Sequence, residues 1–262
     1  MSLKIATWNV NSVRARLDSV LSWIDRARPD VLCMQEIKVV DDLFPREPFA
    51  SRGYRVETFG QKTYNGVALL SREPFENVTR GFPDDKSDAD RRLIAATVAG
   101  IRIVNVYVPN GRAVGSPFFQ QKLDWLRRLR RALEEMTSPR DDLVLCGDFN
   151  VAPDDRDVYD PEGYRDQLHC HPEERKALAE LAEYGLVDVL RRHHAEGGLY
   201  SWWDYRQGAF RRDLGLRIDI IYATAALAER CAAVTIDREP RKGPAPSDHT
   251  PVVAEITMSA RA

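Results

Sequence analysis

The sequence has few of the features that mark membrane, secreted or disulfide-rich proteins. No apolar run approaches the roughly 20 residues needed to cross a bilayer, so we expect no membrane partner. The four cysteines, at positions 33, 146, 170 and 231, are scattered and form no C-x-x-C pair. This spacing argues against a disulfide framework and a zinc site, and it predicts buried thiols in a reducing, cytoplasmic compartment. The first residues enter a strand-like pattern at once, so we expect no signal peptide.

Charge of one sign is not in excess either. The 38 basic and 40 acidic residues leave a net charge of −2, whereas a nucleic-acid binder without other help usually carries a basic excess. Charge alone therefore argues weakly against nucleic acid, although local basic clusters and a bound metal add charge that a sequence count misses. No repeat, low-complexity tract or long linker divides the 262 residues, and we predict one domain over 1–262.

Strand-like and helical patterns alternate along the chain. Nine strands are predicted at 3–9, 30–36, 54–60, 66–71, 91–100, 101–109, 143–150, 216–223 and 251–256. Apolar residues at helical spacing predict three helices, at 13–24, at 119–133 and from Pro172 to Gly185. The tight Ala99-Gly100 link requires an antiparallel pair of strands. The patterns thus predict an α/β domain rich in mixed or antiparallel strands.

Polar side chains lie at or near the ends of many of these strands. They are Asn9, Glu36, Tyr107, Asp148, Asn150, Asp219 within LRIDIIY, and Asp248 and His249 just before PVVAEI. Single cases have ordinary explanations, since Asp148 and Asn150 also fit a turn and a lone Glu36 is usually solvated. Because so many strand ends carry amides, carboxylates, a phenol and an imidazole, we predict that they converge on one polar cavity.

The residue types in this cavity predict hydrolysis of a phosphate ester. Carboxylate and amide oxygens are hard ligands that select Mg²⁺ or Mn²⁺ over zinc. Asp219 lies mid-strand, where a carboxylate is costly to bury alone, and His249 is its natural partner because a carboxylate orients an imidazole. His169-Cys170-His171 has the composition of a metal cluster, but zinc is the less favoured interpretation directly before a helix that starts at Pro172. The acidic runs at 83–85 and 153–157 are expected to be solvated loops.

A series of short motifs extends over nearly the whole chain. They are ATWNVNSVRAR, DVLCMQEIKV, YNGVALLS, GFPDD, RRLIAA, NVYVPNG, KLDWL, GDFNVAP, ERKAL, GLVDVLR, YSWWDYR, LRIDIIYA and PSDHTPV. Together they resemble the exonuclease III family of apurinic/apyrimidinic (AP) endonucleases, within the endonuclease/exonuclease/phosphatase superfamily. GDFN and SDH are shared across the superfamily, whereas QE-x-K, VPNG, SWWDYR and LRID resemble its DNA-repair branch. The resemblance implies a four-layer α/β sandwich, with two packed mixed β-sheets flanked by helices.

The resemblance implies a metal site at the polar strand ends. Glu36 would be the main ligand, with Asn9 and Asp248 near the metal, and Asp148 and Asn150 complete the candidate set. The implied cofactor is Mg²⁺, for which Mn²⁺ would substitute. Whether one metal or two act stays open.

The resemblance also implies catalytic roles around the phosphate. Asp148 would position or deprotonate the attacking water, and Asn150 and His249 would contact phosphate oxygens. Asp219 would orient His249, and Tyr107 would touch the phosphate or assist the leaving group. Whether Asp148 or His249 is the general base stays open.

Two adjacent tryptophans lie in SWWDYR, where strand alternation turns only one of them inward. The resemblance makes one the aromatic wall of a pocket for a flipped-out sugar without its base. We predict Trp203 for this wall, with Trp202 as the alternative. Flipping is cheaper at a damaged site, which gives selectivity.

An arginine-rich stretch, RQGAFRRDLGLR, follows the tryptophans. The DNA backbone would be followed by the basic residues of this stretch, Arg206, Arg211, Arg212 and Arg217. An apolar residue, Phe210 or Leu214, would wedge into the duplex, and a solvated, mobile loop is the alternative. Arg91 matches a family arginine that grips phosphate.

The sequence therefore predicts a Mg²⁺-dependent DNA repair hydrolase. It would cut the phosphodiester 5′ to abasic sites, with 3′-5′ exonuclease and 3′-phosphatase or phosphodiesterase activity on duplex DNA. The expected partner is double-stranded DNA with abasic sites or blocked 3′ ends, no obligate protein partner is expected, and the predicted location is cytoplasmic and nucleoid-associated. The alternatives are a superfamily hydrolase for another substrate, such as a phosphoinositide, and a catalytically inactive DNA-binding module.

Overall fold

The computed structural model describes residues 2–86 and 89–258 of the chain. The strands among them are β1 (Ser2–Asn9), β2 (Val31–Gln35), β3 (Arg55–Phe59), β4 (Val67–Ser71), β5 (Glu76–Arg80), β6 (Leu93–Val98), β7 (Ile101–Tyr107), β8 (Leu143–Asp148), β9 (Leu186–Asp188), β10 (Asp219–Thr224), β11 (Cys231–Ile236) and β12 (Val252–Thr257). The α-helices are α1 (Leu17–Ala27), α2 (Glu47–Ala50), α3 (Pro117–Met136), α4 (Pro161–Tyr164), α5 (Pro172–Ala182), α6 (Val189–His193) and α7 (Ala225–Ala228). Among these described residues, none of the helices has the length and apolarity to span a bilayer.

The strands form two six-stranded sheets that pack face to face. The first has the order β11-β12-β1-β2-β4-β3, and the second has the order β5-β6-β7-β8-β10-β9. The β1–β2 and β7–β8 pairs are parallel and the other pairs are antiparallel, so both sheets are mixed. Ile5 and Cys33 of the first sheet share one buried cluster with Ile103 and Val144 of the second. The predicted two-sheet α/β sandwich is confirmed.

Helices cover the outer face of each sheet because alternate strand residues face opposite ways. Trp23 and Ile24 of α1 pack with Trp8 of β1 in one outer cluster. Leu129 of α3 and Leu178 of α5 pack in the other outer cluster, against the second sheet. The four layers follow from these outer clusters and the shared inner one.

All nine predicted strands and all three predicted helices are present, with shifted ends. The first helix begins at Leu17, because residues 13–16 form turns, and it ends where Arg28 adopts φ +48° before Pro29. The sequence patterns missed β5, β9 and β11. Strand β5 is a mostly exposed edge, β9 has three residues, and β11 carries few large apolar side chains.

The strand directions bring the polar ends to one edge. Strands β1 and β2 run parallel, so Asn9 and Glu36 emerge side by side. Strand β12 is antiparallel to β1, so His249 precedes it at the same edge. In the second sheet Asp148 lies opposite both Tyr107 and Asp219.

A buried polar bridge joins the two sheets close to this edge. Gln35 Nε2 donates to Thr7 Oγ1 (2.8 Å) and across the interface to Asn105 Oδ1 (2.6 Å). Asn105 Nδ2 donates back to the carbonyl oxygens of Met34 (3.0 Å) and Ala68 (2.9 Å). Because buried polar groups are costly without such partners, this bridge specifies how the two sheets align.

Candidate active site

Three side chains from distant parts of the chain meet at this edge. One ligand atom from each of Glu36, Asp148 and His249 lies within 4.8 Å of the others. Asn9 links the carboxylates, because its Nδ2 donates to Glu36 Oε1 (2.8 Å) and to Asp148 Oδ2 (2.9 Å). Its Oδ1 accepts from the Asn11 backbone N–H (3.0 Å), so the network fixes the orientation of the amide. Asn9 therefore bridges the candidate ligands with its N–H groups.

Asp148 sits where two strands approach unusually closely. A Cβ added at Gly147, whose φ is +146°, would lie 1.9 Å from the Val106 carbonyl oxygen, so only glycine fits there. This close contact holds the end of β8 against β7. The Asp148 carboxylate is almost fully buried, and its Oδ1 accepts from the Asn150 backbone N–H at 2.9 Å. Burial raises the pKa of Asp148 to about 7, although the charge of His249 opposes the rise.

His249 is held between two carboxylates. Its Nδ1 lies 2.8 Å from Asp219 Oδ2, which leaves Nε2 facing Asp148 Oδ2 at 3.7 Å. Ser201 Oγ donates to the same Asp219 oxygen (2.6 Å) and fixes that carboxylate. Burial opposes a charged imidazole, but the charges of Asp219 and Asp148 outweigh it and raise the pKa of His249 to about 10.

Asp248 lies on the rim of the site. Its two oxygens accept from Asn11 Nδ2 and from Trp202 Nε1, both at 3.0 Å. Burial alone would raise the pKa of Asp248, but the charge of His249 and these hydrogen bonds hold it below the ordinary value. The three-residue group that includes Glu36 does not include Asp248.

Tyr107 and Asn150 are both close to Asp148. Burial and the carboxylates of Glu36 and Asp148 raise the pKa of Tyr107 well above its ordinary value, so the phenol keeps its proton. Asn150 has φ +53°, and its side-chain amide bonds the Val108 carbonyl oxygen (3.0 Å) and the Asn110 amide (3.0 Å). Left-handed backbone at a residue other than glycine is uncommon and is tolerated best by asparagine.

Sequence reasoning missed several residues of the site. Lys38 Nζ binds Glu36 Oε2 (2.9 Å) and Asn11 Oδ1 (2.6 Å). Ser201 and Asn110 hold Asp219 and Asn150, as described above. The motifs QE-x-K, VPNG and YSWW contain Lys38, Asn110 and Ser201, so the signal was present but was assigned to other members of each motif.

The two tryptophans have opposite placements. Trp203 is fully buried, with its ring against Phe210 (centroids 5.0 Å apart) and its Nε1 donating to Asp213 Oδ1 (3.1 Å). Trp202 is half-buried, its indole N–H binds Asp248, and its backbone bridges to His249. The placement does not fit the prediction of Trp203 as the pocket wall, because the packing of the following loop turns that ring inward. Trp202 faces the site.

The predicted DNA-contacting residues are dispersed. Arg206 and Arg212 are exposed, while Phe210 packs on Trp203 and is half-buried. Arg91 NH1 donates to the Gly60 carbonyl oxygen (2.6 Å), and its guanidinium lies over the Phe59 ring at 5.1 Å.

Arg217 does not follow the prediction that it lines a DNA-binding surface. It is buried and binds Asp157 Oδ1 (2.5 Å) and Asp188 Oδ2 (2.7 Å). Asp157 is also fully buried, and Arg191 binds it too, so the acidic run at 153–157 is not solvated throughout. These residues are buried because they pair with opposite charges. A count of charged residues along the sequence does not reveal such pairing.

The His169-Cys170-His171 run does not form a metal cluster. His169 Nδ1 lies 2.6 Å from the Asn150 carbonyl oxygen, and its ring tilts against Trp202 at 6.1 Å. Burial lowers the pKa of His169 to about 3, so the ring is neutral. His171 instead accepts from the Glu173 backbone N–H (3.3 Å) and caps α5.

The residues at the polar edge fit a hard divalent cation. The group contains two carboxylates and one imidazole, and the Glu36 carboxylate is the more open of the two carboxylates. Oxygen-rich sets of this kind suit Mg²⁺ or Mn²⁺, and Mg²⁺ commonly uses only one or two carboxylates and fills its shell with water and phosphate oxygens.

Comparison with known proteins gives extended similarity. The model of the endonuclease/exonuclease/phosphatase family matches residues 6–249. The chain is 36% identical to exodeoxyribonuclease III of Haemophilus influenzae, over 97% of this chain and 100% of that protein. An AP endonuclease structure from Archaeoglobus fulgidus superposes with a TM-score of 0.94 at 44% identity, over 98% of this chain and 100% of that one. The structure of the 3′ phosphatase NExo from Neisseria, bound to a product DNA hairpin, gives the same TM-score, identity and coverage.

Proposed function

Because this chain belongs to the endonuclease/exonuclease/phosphatase family and to its exonuclease III branch, we propose that it is a Mg²⁺-dependent DNA repair hydrolase. It cuts the phosphodiester 5′ to abasic sites and also removes nucleotides or blocking groups from 3′ ends of duplex DNA. The observation that carries the proposal is the meeting of Glu36, Asp148 and His249 within 4.8 Å, at the open edge of two sheets.

Glu36 is the main metal ligand in this proposal, with Asp148 beside it. Asn9 orients both carboxylates through its two N–H groups. Asp248 and the Asn150 amide would lie near the bound cation. When bound, the cation supplies Lewis-acid stabilisation of phosphate negative charge.

Proton transfer is assigned to Asp148. Asp148 lies 3.7 Å from His249 Nε2 and within 4.8 Å of the Glu36 ligand atom, so its carboxylate can take a proton from a water at this edge near neutral pH. His249 is the weaker candidate for the base, because its flanking carboxylates hold it charged through that range. As a cation, His249 stabilises the phosphate charge that develops during in-line attack, and Asp219 orients it.

Tyr107 and Asn150 complete the phosphate contacts. The Tyr107 phenol keeps its proton and donates to a phosphate oxygen or to the leaving oxygen. The Asn150 amide is fixed by Asn110 and by the Val108 carbonyl oxygen, so it is presented in one orientation. Such preorganised donors lower the barrier because they need no reorientation during the reaction.

The substrate pocket uses Trp202 as its aromatic wall, since Trp202 faces the site and Trp203 supports the loop from below. Arg206 and Arg212 bind backbone phosphates, and Phe210 of the same loop helps to hold the DNA. Arg91 also grips phosphate. The proposal includes double-stranded DNA as the partner and a cytoplasmic, nucleoid-associated location.

The test is cleavage of a duplex with one abasic analogue, in Mg²⁺ and in excess EDTA. We expect a single cut 5′ to the abasic position, with a 3′-hydroxyl product, only when Mg²⁺ is present. Mn²⁺ should restore cutting after chelation. An intact duplex of the same sequence is the control, and full cutting in EDTA would refute the metal role.

A second candidate restricts the same chemistry to 3′ ends. Its support is that the Neisseria 3′ phosphatase superposes as well as the Archaeoglobus AP endonuclease, at equal identity. A duplex with a 3′-phosphate at a nick separates the two candidates. Release of phosphate from the nick without incision at the internal abasic analogue would favour the restricted function.

A further inference from the structure

A buried ion pair lies beneath the two loops that carry Asn110 and Asn150. Lys122 of α3 and Glu174 of α5 are both fully buried, and the ammonium donates to Glu174 Oε1. Glu174 also accepts from the His171 backbone N–H (3.2 Å). Charged side chains are almost never fully buried unless they are paired, so this position has a specific requirement for charge.

The Lys122 ammonium also binds the backbone of two loops of the site. Its Nζ donates to the carbonyl oxygen of Asn150 at 2.7 Å and lies 3.3 Å from that of Asn110. His169 Nδ1 lies 2.6 Å from the same Asn150 oxygen. The side-chain amides of Asn110 and Asn150 bond each other above this point, at 3.0 Å. One ammonium group therefore ties together both asparagines.

The surrounding backbone is shaped to admit the lysine. A Cβ at Gly111 would lie 3.1 Å from Lys122 Cδ, and Gly111 has φ +89°. Asn150 is itself left-handed at φ +53°. Asparagine tolerates this conformation best among residues other than glycine, and the Lys122 and His169 contacts at its carbonyl oxygen hold it in place.

Stability alone does not explain why this ion pair is buried. Desolvation of two charges offsets most of their attraction, and apolar residues of similar volume are often as stable or more stable. A positioning role explains why charge is used, since Nζ can donate to Glu174 and to two carbonyl oxygens together.

We propose that Lys122 and Glu174 are a positioning pair, which fixes the backbone of Asn150 and so aims its amide at the phosphate; this inference rests on the proposed function. The pair acts through Asn150 and does not touch the reacting atoms.

The experiment compares Lys122→Met, the apolar pair Lys122→Met/Glu174→Leu, and Arg191→Met as a matched control. Arg191 belongs to the other buried ion cluster described above, where it binds Asp157. Steady-state kcat and KM on the duplex substrate are measured together with the thermal midpoint of each protein.

We expect the apolar pair to regain a thermal midpoint close to that of the wild type, while kcat stays about a hundredfold low because misplacement of a reacting contact is costly. KM should change by less than about threefold, since the loss falls on the transition state. Arg191→Met should lose stability but keep its kcat.

A folded apolar pair with wild-type kcat would overturn the inference, because the ion pair would then serve only stability. If the apolar pair does not fold, Lys122→Met alone is assayed well below its thermal midpoint, and the same two kcat outcomes decide. If the wild type and Arg191→Met cleave neither an abasic nor a 3′-blocked duplex, the proposed function fails and this inference falls with it.

Discussion

The floor of the site and its aromatic rim are built in different ways. The floor consists of Glu36, Asp148 and His249, whose positions follow from strand register and which hydrogen bonds lock on several sides. The aromatic rim is the loop from Trp202 to Asp213, in which Phe210 packs on Trp203 while Arg206 and Arg212 are exposed. Register fixes side chains more closely than loop packing does, so substitutions in the floor should affect chemistry and those in the rim should affect binding or folding.

The largest effect should come from the centre of the floor. Asp148→Asn removes the proton acceptor and one candidate ligand but retains the shape of the side chain. We expect kcat to fall by roughly a hundredfold or more, measured on the abasic duplex. The thermal midpoint serves as the control for folding. Near-normal turnover in a folded variant would mean that another group carries the chemistry.

The second-largest loss of activity should come from substitution of Asp219, which orients His249. Asp219→Asn removes the main charge that raises the His249 pKa toward 10, so that pKa should fall. In the wild type, His249 stays charged until the pH rises through its raised pKa. In the variant, whose His249 pKa is lower, the charge is lost at a lower pH. The alkaline limb of the kcat–pH profile should therefore move to lower pH, and kcat should drop about tenfold or more. If the alkaline limb does not move, the charge that turnover requires does not belong to His249.

Trp202 and Trp203 should respond differently to substitution, because Trp202 faces the site and Trp203 supports the loop. Trp202→Ala should reduce abasic incision by about tenfold, because the sugar loses the apolar contact of the proposed pocket wall, with little change in the thermal midpoint. Trp203→Ala should cost about 3–5 kcal/mol of unfolding free energy, as for a buried ring, because its side chain is fully buried. Denaturant unfolding and kinetics on both variants test this. The reverse pattern would reinstate Trp203 as the pocket wall.

The smallest effects should come from the exposed arginines. Arg206→Ala and Arg212→Ala should raise KM severalfold and reduce the salt dependence of binding by about one unit of log–log slope each. Arg127→Ala, on the exposed surface of α3, is the control. Equal changes in all three variants would show that the loop has no special role in DNA binding.

Sequence alone predicted much of the molecule. The family and the two-sheet fold are confirmed, and the polar strand ends that motivated the site do come together. Strand direction explains this within each sheet, because parallel strands end, and their antiparallel neighbours begin, at the same edge.

The rest depended on tertiary packing that no local pattern records. Arg217 lies in a basic stretch, yet it turns inward to Asp157. Lys122 lies on a helix face among ordinary apolar residues, and its buried partner Glu174 is 52 positions away. Such pairs are visible only after the chain is folded.

The candidate metal-binding group is divided between the two sheets, with Glu36 following β2 and Asp148 ending β8. Neither sheet alone carries the complete group, because Glu36 and His249 flank strands of one sheet and Asp148 ends a strand of the other. The Gln35–Asn105 bridge crosses the interface between these sheets, so the alignment that it specifies is also the alignment that brings Glu36 and Asp148 together.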